Sequence, residues 1–202
     1  MSRDPARAAS QFFGGRVCLD FANTLDWRLT EDPVELIPDY AALLAWSARR
    51  GTMSAATIAQ LRARSARRKT DATAVMQEAY DLRALIWRSA DALRGGEAVE
   101  LEPFNAMLSH LPPQPSVAQH GKSYVFDLNG AELRQPLWPV LWSLTAVLAS
   151  DDANRLGCCH AQGCGWFFVD ESPNHSRLWC SSEVCGNRER ARRAYAKRRS
   201  RT

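Results

Sequence analysis

The chain has 202 residues, enough for one large domain or a domain with a small appendix. Hydrophobic residues make up 46% and charged residues 24%, which excludes wholesale disorder. The net charge is +4 but uneven: residues 186–202 carry eight Lys/Arg against one Glu, a net of +7, leaving −3 for the rest. A basic end of this kind points to a polyanion, most often nucleic acid, although many such runs are only solvated tails. The longest mostly apolar run, Pro136 to Ala149, is too short to cross a bilayer and is broken by proline. Residues 1–11 lack the apolar stretch of a secretory signal. A cytoplasmic protein with no membrane partner is expected.

In chain order, residues 1–11 read as a frayed leader. Phe12 to Asp26 (FFGGRVCLDFANTLD) alternates at Val17, Leu19 and Phe21, then approaches helical spacing. It fits a short strand entering a helix, or a helix throughout. Asp39 is placed to cap a helix over Tyr40–Arg50 that stops at Gly51. Ser54 is placed to cap a second helix, with Ile58 and Leu61 on its buried face. A third, longer helix opens at Thr70 or Asp71, repeats apolar residues at three- and four-residue steps, and ends at Gly95-Gly96. Pro103 to Leu111 reads as a short helix closed by Pro112-Pro113. Ser116 to Leu128 reads as a β-hairpin, and Leu137 to Ala149 as helix. The fold class is therefore mainly α with a small β element (α+β). A helical domain spans residues 1–150, and a small cysteine-rich module spans 155–202 and ends in a basic helix.

Five of the six cysteines lie between Cys158 and Cys185. Cys159 and Cys164 enclose four residues, Cys180 and Cys185 enclose four, and fifteen lie between the pairs. Two short pairs joined by such a loop fit one tetrahedral site of four thiolates, best suited to zinc. Iron–sulfur clusters use other spacings. Four protein ligands leave no open position, so one zinc would be structural. Cys158 would break the symmetry and is read as a neighbour packed on the main domain. The bland alternative is free thiols or reversible disulfides. Trp166, Phe167, Phe168 and Trp179 read as a mini-core around the metal. Arg177 is placed to pair with Asp170 or to reach a phosphate.

Gly186 lets the chain turn away from the metal, and Asn187 is a suitable cap for a helix over Arg188–Arg199. Arg188, Arg192, Tyr195 and Arg199 form one stripe of it. Arg188, Arg190, Arg192, Arg193, Lys197, Arg198 and Arg199, with Arg177, are the candidate nucleic-acid contacts. Tyr195 alone offers little base stacking, so DNA is favoured over RNA.

These residues resemble the CGNR zinc-finger family: Cys159, Cys164, Phe168, Asp170, Ser172, Arg177, Trp179, Cys180, Cys185, Gly186, Asn187 and Arg188. In that family the finger follows an ABATE domain, whose opening is matched by Phe13, Gly14, Gly15, Cys18, Leu19, Asp20, Phe21, Asn23 and Thr24. Leu178 departs from the pattern, standing where a second arginine is common. The resemblance implies a treble-clef-like zinc module and a stress-induced, mostly bacterial transcription regulator.

In the first domain, Asp20, Asn23 and Thr24 share one face if helical. Arg28 and Arg83 are candidate charge partners. The cluster reads either as a pocket for a small-molecule effector or as a buried hydrogen-bond network. His110 and His120 come with no nucleophile elbow, phosphate loop or zinc-protease motif, so no enzyme is expected. A specific DNA site would need a homodimer, because one helix gives little area. The competing class is a ligand-binding or protein-docking module with a purely structural finger.

Overall fold

The computed structural model describes residues 11–109, 111, 116–120, 123–127 and 132–200. The leader through residue 10, His110, Pro112-Pro113 and the last two residues lie outside them. So does the side chain of His120.

The opening segment folds in the order helix then strand. Helix α1 (Val17–Ala22) is followed by a two-residue strand β1 (Leu25–Asp26), paired antiparallel with β2 (Val34–Glu35). The alternating Val17, Leu19 and Phe21 do not form a strand. Cys18, Leu19, Asp20, Phe21 and Ala22 are all buried, so helix neighbours cover every side and no polar face interrupts the pattern.

Helices α2 (Tyr40–Arg50) and α3 (Ala55–Arg67) start where their caps predict: Asp39 accepts from the Ala42 N–H and Ser54 from the Thr57 N–H. Helix α4 (Lys69–Gly95) begins one residue after Arg68 closes α3. Gly51 and Gly96 end α2 and α4 at φ 73° and 72°, a conformation glycine adopts without strain. Helix α5 (Leu101–Leu108) starts two residues before Pro103 and ends three residues before Leu111. The hairpin β3 (Ser116–His120) and β4 (Ser123–Asp127) is present. A 3-10 turn over Gln135–Leu137 leads into α6 (Trp138–Leu148).

These helices pack around α1, which lies against α4 and α6. Phe21 meets the Trp46 ring edge-on at 5.4 Å. The module that follows is not a tethered appendix. Strand β5 (Leu156–Cys158) pairs with β6 (Phe167–Val169), the third two-stranded sheet among the described residues. Alternation along β6 divides its side chains between two cores. Phe167 and Val169 enter the helical core, while Phe168 enters a second one with Leu36, Trp166 and the four paired cysteines. Phe167 therefore does not belong to the metal's mini-core. Helix α7 (Asn187–Arg199) follows the second cysteine pair.

Candidate metal centre and nucleic-acid interface

The loop of the β5–β6 hairpin presents Cys159 and Cys164, and the turn that opens α7 presents Cys180 and Cys185. All four sulfurs are buried and lie within 4.8 Å of one another. Cys164 stands 3.8 Å from Cys180 and from Cys185, and Cys180 stands 3.5 Å from Cys185. A tetrahedron with Zn–S near 2.3 Å has edges of about 3.8 Å, so the donor set fits zinc. No disulfide joins these cysteines. Close contact within the cluster pulls the Cys159 thiol down and pushes those of Cys164 and Cys180 up; a bound zinc would take all four as thiolates. The centre is one structural zinc site, and its ion would crosslink the two halves of the module. Cys158 faces away and packs on the helical core.

Polar side chains hold the two knuckles. Asp170 accepts from the N–H groups of Ser172 and Arg177. Burial pushes its carboxyl up, but these hydrogen bonds outweigh that and hold it below the usual carboxylate range. Arg177 points inward. It donates to the carbonyls of Trp179, Val169, Phe13 and Cys180 and stacks 4.1 Å from the Phe168 ring. That engages four of its five N–H groups, so the side chain braces the module and neither faces a phosphate nor pairs with Asp170, which accepts only its backbone N–H. Gly157 packs flat on Phe168, where a Cβ would sit 2.4 Å from the ring.

The turn before α7 corrects two expectations. Asn187 is already helical, and its side chain donates back to the Glu183 carbonyl. The cap is Ser181, extended, whose oxygen accepts from the Val184 N–H. A π-type turn over Ser182–Gly186 runs straight into α7, because Cys185 must reach the metal from within the helix entry. Gly186 has an ordinary helical φ of −62°. Space is tight there, since a Cβ would meet the Trp179 ring at 3.1 Å.

The polar cluster of the first domain forms the seam with this module. Asn23, 4% exposed, is a two-way clasp: its amide donates to the Phe167 carbonyl and its oxygen accepts from the Phe167 N–H. Arg28 donates to the Gly165 carbonyl and lies over the Phe167 and Trp87 rings. Asp20 turns elsewhere, to the Gly14 N–H and Arg50 at 2.7 Å. Burial pushes its carboxyl up, offset in part by those two partners. Thr24 accepts from Arg83, which also grips Glu35. Asn23 and Thr24 lie beyond the last residue of α1, so the three side chains diverge and share no face. Arg50, brought by α2, is the partner of Asp20, and neither Arg28 nor Arg83 is. The structure places these five residues in hydrogen bonds rather than around one opening, although the Arg83 Nε is buried without a partner among the described residues.

Helix α7 is anchored at its first turn and exposed beyond it. Arg188 stacks on the Trp27 ring at 4.3 Å, with a buried Nη2 that finds no partner among the described residues. Glu189, 3% exposed, accepts from the Gln162 N–H and from Arg192. Burial pushes its carboxyl up, but these donors hold it below the usual range. Arg192 also donates to the Gln162 side chain, and Arg190 to the Ser182 carbonyl and Asn187. Arg193, Lys197, Arg198 and Arg199 are exposed, as is Tyr195 at 66%. The predicted stripe is therefore split: Arg188 packs at the base, Arg192 is exposed but tied to Glu189 and Gln162, and Tyr195 and Arg199 stand outside. Gln162, Ser181 and Trp27 were missed in the sequence. Only the lone Glu189 in a basic run signalled a buried anchor.

No helix among the described residues is long and apolar enough to cross a membrane. No curated protein matches the chain. The CGNR zinc-finger model matches residues 155–198. The ABATE model, described as "Putative stress-induced transcription regulator", matches residues 15–151. The chain belongs to the ABATE family and ends in a CGNR zinc finger.

Proposed function

We propose that this chain is a cytoplasmic, non-enzymatic transcription regulator that binds DNA through α7. The observation that carries the reading is the contrast along that helix. Its first turn is fixed by Cys185, by Arg188 on Trp27 and by Glu189 on Gln162, while Arg193, Lys197, Arg198 and Arg199 stand exposed beyond it. A cationic helix held at one end is preorganised for phosphates or a groove, and loses less entropy on binding than a loose tail. Arg190 lies beside this exposed set, and Arg177, Arg188 and Arg192 position it. The clasp at Asn23 and Arg28 is the route by which the helical part would steer α7. A small-molecule effector or a homodimer contact would act through it. A groove of about 590 Å3 beside Arg28, Trp87 and Ser89 is the place for an effector.

The test is anisotropy titration of zinc-loaded protein on a mixed-sequence duplex across salt concentrations. Salt-sensitive binding is expected, made shallower by about two in slope when Arg193 and Lys197 become Gln. Absence of binding at low salt would sink the reading and favour a docking module.

A further inference from the structure

Pooling the charge of residues 1–185 hides a second basic region. From Tyr40 to Thr70 the chain has seven Lys/Arg and no Asp or Glu. Helix α4, by contrast, carries four residues of each sign. An amphipathic surface helix normally mixes signs, because opposite charges three and four residues apart support it. Helix α3 has three arginines and no carboxylate to pair with them.

The structure leaves most of this charge outward. Arg50 is taken by Asp20 and Arg68 by Asp71. Arg62, Arg67 and Lys69 are exposed, and no carboxylate among the described residues forms an ion pair with them. Ile58 and Leu61 bury one face of α3 against its neighbours, with Arg62 on the flank of that face and Arg67 on the far side, so a packed helix carries the charge.

Its position relative to the finger is set by α4. Arg68 and Asp71 lie at the start of α4. Near its end, Asp91 meets Arg28, which holds the finger at Gly165. Twenty residues of α-helix span about 30 Å. One turn of duplex DNA is about 34–36 Å.

We propose that Arg62, Arg67 and Lys69 form a second phosphate-binding surface, which engages the same duplex as α7. This rests on the DNA-binding reading and extends it, because two separated contacts supply the area and register that a single basic helix lacks.

The experiment compares three full-length, zinc-loaded proteins on one 25-base-pair duplex: wild type, the triple variant Arg62→Gln/Arg67→Gln/Lys69→Gln, and a charge-matched control, Arg94→Gln/Arg134→Gln/Arg155→Gln. Gln keeps helix propensity close to that of Arg and Lys. Zinc content and melting temperature verify folding. The salt slope of the first variant is expected to become shallower by about 2 to 3, with roughly a hundredfold or more weaker binding near 0.1 M salt. The control should stay close to wild type. A first variant with the wild-type slope overturns the second surface while leaving α7 intact. Equal losses in both variants overturn it too, because the effect is then bulk charge. A wild type that binds anionic vesicles but no duplex removes the DNA-binding reading itself, and this proposal with it.

Discussion

The helical part and the finger are held together by different physics. Among the helices, Phe21, Leu43, Leu44, Trp46, Leu61, Leu85 and Ile86 are buried almost completely, and their packing needs no special chemistry. The finger has only a small core around Phe168 and Trp166, with four sulfurs at its centre. It replaces apolar area with a metal and with polar side chains aimed at backbone groups, as at Asp170, Arg177 and Glu189. The first arrangement tolerates many substitutions of similar volume. The second depends on individual atoms.

The largest effect comes from the metal. Cys180→Ser should abolish zinc binding and unfold the finger, because structural zinc supplies about 10–16 kcal/mol in small modules. Zinc content and far-UV circular dichroism check this. The helical part should also melt earlier, since Phe167 and Val169 belong to its core. An unchanged melting temperature would show that the two cores are separate.

Next comes the seam. Asn23→Ala leaves the Phe167 N–H and carbonyl buried without partners. Loss of about 2–4 kcal/mol in urea unfolding is expected. Gly157→Ala follows, at about 1–3 kcal/mol, from a Cβ driven into the Phe168 ring. The cap Ser181→Ala is smaller, at about 1 kcal/mol.

The mildest test is pH. Glu189 is held below its usual range by Gln162 and Arg192. An acid depressed in the folded state stabilises fully above its unfolded value, near 4.3, and that share is lost as pH falls through the lower folded value. Glu189→Gln should therefore flatten the acid limb of stability between those two values, measured by thermal melts at fixed zinc. An unaltered acid limb would show that Glu189 carries no such linkage.

Much of this was legible in the sequence because it rests on local rules. Asp39, Ser54 and Gly51 mark helix ends through single hydrogen bonds or one φ angle. The two four-residue cysteine gaps mark a metal site through ligand geometry. What stayed hidden depends on contacts distant in the chain. Nothing near Asn23 announces a partner 144 residues away, and nothing near Arg188 announces Trp27. Arg177 looks like a surface cation until four carbonyls converge on it. Helix α1 mimics a strand because apolar residues lie on all its sides, with the single polar residue Asp20 buried among them.

On the proposed DNA-binding reading, zinc-held geometry, and not basic charge alone, directs α7 to the duplex. The most direct measurement is duplex binding of one sample before and after zinc chelation, with α7 amide exchange followed in parallel. Affinity is predicted to fall at least tenfold on chelation, with α7 losing protection and both recovering when zinc is returned. Metal-free protein that binds with the same affinity and salt slope would contradict the account and reduce α7 to an unstructured cationic tail.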